Sequence, residues 1–181
     1  MKDDHMKRMN QKGFTIIEII VSLVLVGVMA VTAGIGIVTF VKGQTFALVN
    51  AALTQKAELA ISRITWEFME FTDVLSVNEE GNYLSYHMIE GDSAIGLDTT
   101  DNQLKITEGV MELTDGFPLV DNVESFTLSL WTLDESGNRI DWNVGDSAML
   151  YGIDVELKLI HPDEDVGTLK FETSVNPRNN G

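Results

Sequence analysis

One acidic side chain in this 181-residue sequence stands where an acid is costly. Glu18 lies inside a run of apolar residues, 14–41, that carries no other charge. A carboxylate within a membrane span costs about 2.5–3.5 kcal/mol on insertion scales. Two readings of Glu18 stand side by side. In one it is a carboxylate close to the lipid headgroups, favoured by the positive end of a helix dipole. In the other it awaits a cation that the uncut chain lacks. A cut after Gly13 would supply that cation, because the new α-amine of Phe14 lies one helical turn from Glu18. Such an amine can pair within one chain, or between neighbours staggered along a fibre.

Other residue types offer less. Asp98, Asp101 and Asn102 in one loop, and Asp163, Glu164 and Asp165 in another, supply the oxygen ligands that Ca²⁺ prefers. No EF-hand spacing accompanies them, and 28 acidic residues make clustered carboxylates in turns common by chance. No cofactor is expected, with calcium in the head the one exception kept open. His5, His87 and His161 are far apart, without metal-ligand spacing, and read as surface histidines. Gly91-Asp92-Ser93 and Gly145-Asp146-Ser147 mimic a tripeptide of some esterases, but no Asp-x-x-His follows, so both read as turns. No P-loop, GxGxxG or HExxH occurs. The absence of Cys removes disulfides, thiolate zinc sites and Cys nucleophiles together. The expectation is a protein that is not an enzyme.

The element that must position Glu18 is the apolar run. As a helix it would span about 42 Å at ~1.5 Å per residue, more than a hydrocarbon layer of roughly 30 Å. A buried helix of a soluble domain rarely exceeds ~20 residues without polar interruption. A cleaved secretory signal has an apolar region of only ~7–15 residues and an A-x-A-like end, and neither fits. Before the run stand Lys2, Lys7, Arg8 and Lys12 against Asp3 and Asp4. From Gly43 onward there are 7 Lys+Arg against 25 Asp+Glu, a net charge of −18. The positive-inside bias therefore puts the N-terminus in the cytoplasm and the remainder outside. A formal charge of −16 over the whole chain also argues against nucleic acid, whose phosphates a binder must neutralise.

At this point the sequence resembles a known family. Lys12-Gly13-Phe14-Thr15-Ile16-Ile17-Glu18, followed by Ile19-Ile20-Val21, looks like the processing site of type IV pilins and type II secretion pseudopilins. The resemblance implies that a prepilin peptidase cuts after Gly13 on the cytoplasmic face and N-methylates Phe14. It implies that Glu18 is needed for subunits to enter the fibre. It also implies partners: other pilin or pseudopilin subunits, including minor I- and K-type subunits and the major subunit, and an inner-membrane assembly platform. Arg63-Ile64-Thr65-Trp66-Glu67, the segment 119–126 and the segment 174–179 resemble J-type minor pseudopilins and W-type minor pilins, in short and loose matches. Glu18 speaks against a K-type subunit, which usually lacks the acid.

Beyond Lys42 a stripe continues at three- and four-residue steps: Phe46, Val49, Leu53, Ala57, Ala60 or Ile61, Ile64, Phe68, Phe71 and Leu75. Lys56, Glu58, Arg63, Glu67 and Glu70 fall largely off it, with Arg63 and Glu67 at i,i+4 pairing distance. No Pro interrupts Phe14 to Asp73, so one helix of about 60 residues is expected. Within the span Gly27, Ala30 and Gly34 either let helices approach closely or, with Gly36, soften the helix; both readings stay open. From Val74 the period shortens to two. Residues 83–89, 126–130, 153–159 and 169–172 read as strands, with turns at Gly81-Asn82, 134–138 and 162–167.

The expected fold is α+β and pilin-like: a long N-terminal helix, membrane-spanning then amphipathic, packed on an antiparallel sheet. The expected organisation is a cleaved leader over 1–13, a transmembrane and polymerisation helix over 14–41, its amphipathic continuation over 42–73, and a periplasmic β-rich head over 74–181, with a frayed tail over 176–181. Two functions compete. The first is a minor structural subunit of a secretion pseudopilus or surface pilus, starting in the inner membrane. The second is a single-pass inner-membrane protein whose periplasmic head binds a ligand and never polymerises.

Overall fold

The computed structural model describes residues 13–109, 112–163 and 165–178. Residues 1–12 of the expected leader, with His5, and Glu164 and residues 179–181 of the tail lie outside that range. The chain divides into two units, Met1–Ala47 and Leu48–Gly181. One helix, α1 (Ile16–Glu70), contributes to both. It stops short of the expected 73, because the Thr72 N–H and hydroxyl both donate to the His87 carbonyl, at 2.8 and 3.1 Å. That carbonyl draws the chain into the first strand.

In the first unit the described part is α1 up to Ala47, with every side chain exposed. Its hydroxyls are satisfied by its own backbone. Ser22 donates to the Glu18 carbonyl at 2.7 Å, Thr32 to Met29 at 2.9 Å, and Thr39 to Ile35 at 3.0 Å. Such back-bonding hides polar groups that an apolar surrounding would leave unpaired.

In the second unit, nine strands among the described residues form two antiparallel sheets where one was expected. The five-stranded sheet is a meander of β1 (Asp73–Val77), β2 (Tyr83–Met88), β3 (Gly91–Asp98), β4 (Gln103–Glu108) and β5 (Phe117–Val120). The four-stranded sheet has the order β7-β6-β8-β9, built from β6 (Val123–Leu133), β7 (Arg139–Asp141), β8 (Gly152–Ile160) and β9 (Thr168–Val175). The strands read at 126–130, 153–159 and 169–172 are parts of β6, β8 and β9, and the one read at 83–89 is β2, which ends one residue sooner at Met88. The turns at 134–138 and 162–167 join β6 to β7 and β8 to β9.

The buried residues of α1, Leu53, Ala57, Ala60, Ile64 and Phe68, belong to one apolar core with Leu84, Ile95 and Leu104 of one sheet and Phe126, Ile153 and Leu157 of the other. Phe68, Phe71 and Tyr86 meet with ring centroids about 6 Å apart, two of the three pairs edge-on. The stripe differs from expectation at its ends. Phe46 and Leu75 are exposed, and Leu75 lies in β1.

Glu67, expected largely off the stripe, is 3% exposed. Arg63 pairs with one of its oxygens and the Tyr86 hydroxyl donates to the other at 3.3 Å. Burial raises the Glu67 carboxyl above its ordinary range, while Arg63 and the Tyr86 bond oppose the rise. His161, read as a surface histidine, is also buried, with the Asp163 N–H donating to its Nδ1 at 2.9 Å. Gly91-Asp92-Ser93, read as a turn, opens β3 instead.

Close approach requires glycine at several positions, Gly81 and Gly152 among them. At Gly81 φ is +67°, and an added Cβ would lie 2.9 Å from the Leu128 carbonyl oxygen. The Gly81 carbonyl accepts the Leu128 N–H at 2.7 Å, so the β1–β2 turn is bonded to the other sheet. At Gly152 a Cβ would fall 2.4 Å from the Trp131 ring. That ring lies beneath the Arg139 guanidinium, 3.8 Å from its centroid.

Candidate functional site

The start of α1 is built by four residues. Gly13, Phe14 and Thr15 are non-helical and exposed, Phe14 by 77%. Thr15 caps the helix: its carbonyl accepts the Glu18 and Ile19 N–H groups at 3.1 and 3.2 Å, and its Oγ1 accepts the Glu18 N–H at 3.3 Å. This satisfies backbone donors that a helix start otherwise leaves open. Thr15-Ile16-Ile17-Glu18 has the spacing of a capping box, the signal in the sequence by which the helix start could be placed.

Glu18 sits in the first turn, where the helix dipole favours a negative charge. Among the described residues its carboxylate has no hydrogen-bond or ion-pair partner. The hydroxyls of Thr15, Ser22, Thr32 and Thr39 all bond within the helix, so Glu18 is the polar side chain of the 14–41 run that the helix does not satisfy. Everything that defines the helix start lies C-terminal to Gly13. A cut at the Gly13–Phe14 bond therefore leaves the cap intact and places the new amine just ahead of it.

Gly27, Ala30 and Gly34 are exposed along α1. A Cβ added at Gly27, Gly34 or Gly36 would meet nothing within 4 Å, so no contact inside the chain calls for glycine there. The large side chains around them are 50–79% exposed, from Ile16 to Val41. Among the described residues α1 is the one helix long and apolar enough to cross a membrane. Water is a poor solvent for such a surface; lipid or other helices cover it at least cost.

Residues 8–34 match the prokaryotic N-terminal methylation motif. This match supports the resemblance to type IV pilins and pseudopilins. The match covers the Gly13–Phe14 bond, Glu18 and the small residues up to Gly34, and its residues 8–12 lie outside the described structure. No curated protein and no solved structure matches the chain. In this pilin-type segment the apolar helix is suited to membrane anchoring.

The calcium candidates lie elsewhere. Asp98 ends β3 and Asp101 lies in the following turn, where Asn102 adopts φ +54°, and both carboxylates converge on the Lys105 ammonium, at 2.7 and 2.8 Å. Lys105 also donates to the Thr114 carbonyl at 3.3 Å. Its hydrogen bond holds the Asp98 carboxyl below the ordinary range, with a Thr100 backbone bond adding to the effect. Sequence reading passed over Lys105, although a lysine four residues after Asp101 was the available signal. Among the described residues no group of three or more His, Cys, Asp or Glu side chains is arranged to hold a metal ion.

Proposed function

We propose that the chain is a minor subunit of a type II secretion pseudopilus or type IV pilus, a structural protein and not an enzyme. A prepilin peptidase cuts it after Gly13 and methylates Phe14. The subunit then leaves the inner membrane and enters the fibre, at or close to its tip, through the 14–41 helix. Until then the N-terminus is cytoplasmic and the head over 74–181 is periplasmic. The partners on this reading are the major subunit, minor I- and K-type subunits and the inner-membrane assembly platform.

The observation that carries the reading is the Glu18 carboxylate. It stands in the capped first turn of an apolar helix that satisfies its neighbouring hydroxyls but not this acid. The Phe14 amine of the same or a neighbouring subunit is a cation of the right charge, created by the processing step itself. In a low-dielectric bundle of helices that pairing replaces lost hydration, and burial of the apolar surfaces supplies the rest of the driving force. The loose matches at 63–67, 119–126 and 174–179 support a J- or W-type position.

Mass spectrometry of the N-terminus from membrane-extracted protein tests the reading. It expects a chain beginning at N-methylated Phe14. An intact Met1 terminus in cells with an active prepilin peptidase would favour the non-polymerising membrane protein instead.

A further inference from the structure

Where α1 ends, the second unit holds a cleft of about 590 Å³, within the roughly 300–1,000 Å³ range of ligand clefts. Its walls are the last turns of α1, the β2–β3 turn and the end of β4. Two apolar side chains stand in it with much of their surface uncovered, Trp66 at 49% and Ile89 at 87% exposure. Around them are the carboxylates of Glu67, Glu70, Glu90, Asp92 and Glu108, with Arg63 the one lysine or arginine in the lining. Arg63 is already engaged, paired with Glu67 and stacked 4.9 Å from the centre of the Trp66 ring. His87 pairs with Asp92 at 2.6 Å. The lining therefore keeps an excess of negative charge.

We propose that this cleft docks a basic segment of a partner protein, a short stretch in which Lys or Arg residues flank an apolar side chain. The apolar side chain covers Trp66 and Ile89, and the cations meet Glu90, Glu108 and Glu70. Charge complementarity selects such an occupant. The repulsion is visible within the site, since Glu108 and Glu70 each add to the rise that burial imposes on the Glu67 carboxyl. A second copy of this head is a poor occupant. The chain carries −18 from Gly43 onward, and Lys56, Lys105, Arg139, Lys158 and Lys170 each pair with a carboxylate of their own chain. The inference goes beyond fibre assembly and holds whether or not the chain polymerises.

The test uses the full chain in non-ionic detergent micelles and a fluorescein-labelled Lys-Leu-Lys-Leu-Lys peptide, read by anisotropy at about 0.1 M salt. Saturable binding is expected, weakened about fivefold or more by Glu90→Gln with Glu108→Gln, and separately by Trp66→Ala. Glu124→Gln with Asp141→Asn, which neutralises two exposed acids away from the cleft, is expected to change it less than about twofold. Equal losses from both double variants would reduce the effect to general charge and overturn the proposal. So would equal affinity for Lys-Gly-Lys-Gly-Lys, which lacks the apolar part. Absence of saturable peptide binding, with or without self-association that Trp66→Ala abolishes, would overturn it as well. The fibre reading has its own readout, the N-terminus of the processed chain.

Discussion

Replacing Arg63 by methionine isolates one electrostatic interaction in the head. Methionine keeps an unbranched stem near Trp66 and removes the guanidinium that pairs with buried Glu67. Breaking a fully buried pair costs about 3–5 kcal/mol, and an exposed pair is worth about 0–1 kcal/mol. Glu67 is 3% exposed but the Arg63 side chain is 43% exposed, so solvent already screens one partner. The expected loss at pH 8 is therefore about 2 kcal/mol, a fall in Tm of about 5 °C for a unit of this size. The sign of the pH dependence follows from the raised Glu67 carboxyl. A carboxyl whose folded pKa exceeds its unfolded value lowers stability as pH rises above the unfolded value, near 4.5. Removing Arg63 raises the folded value further, so the variant's deficit is largest at high pH and narrows as Glu67 gains its proton. Thermal melts by circular dichroism from pH 8 down to about 5.5, above the acidic pI, read this directly. In a Glu67→Gln background the same substitution should cost less than about 0.5 kcal/mol. A deficit that is constant with pH, or unchanged by Glu67→Gln, would refute the pairing and leave only packing around Trp66.

Glu18→Ala or Glu18→Leu should be cleaved at the normal rate by prepilin peptidase but fail to enter fibres, as scored by processed-band and fibre-fraction immunoblots. Normal incorporation would remove the proposed pairing with the Phe14 amine. Gly152→Ala should lower head stability by about 1–3 kcal/mol, since its Cβ would fall 2.4 Å from the Trp131 ring; an unchanged melting curve would refute the close approach. Lys105→Met should lower Tm by leaving the Asp98 carboxylate unpaired. The stability that Asp98 contributes is present above its unfolded pKa, near 3.8, and lost as pH falls through the lower folded value. Millimolar Ca²⁺ should leave the wild-type Tm unchanged, because Lys105 already satisfies Asp98 and Asp101; a rise in Tm on adding calcium would contradict this.

The sequence by itself determined whatever depends on neighbours along the chain. The apolar length of 14–41, the basic start, and the Gly13, Phe14 and Glu18 spacing are all local, and the match over residues 8–34 falls on them. The helix stripe from Leu53 to Phe68 was legible for the same reason, because one face is buried and the period of 3.6 survives. Strands β6, β8 and β9 alternate because one face meets the core and the other meets water. The rest depended on contacts between distant residues. Strands β3 and β4 each bury four consecutive residues, 93–96 and 104–107, so neither shows the alternation by which strands are read. The division into two sheets rests on β5 and β6 not pairing, on β6 pairing with β8 across β7, and on the Gly81–Leu128 bond between the sheets. A carboxylate looks solvated until its surroundings are known. The Arg63–Glu67 pair was legible from its i,i+4 spacing, but folding alone buried Glu67 against the Tyr86 hydroxyl and drew Asp98 and Asp101 onto Lys105. The cleft beside Trp66 is likewise assembled from α1, β2, β3 and β4, which only the tertiary fold brings together.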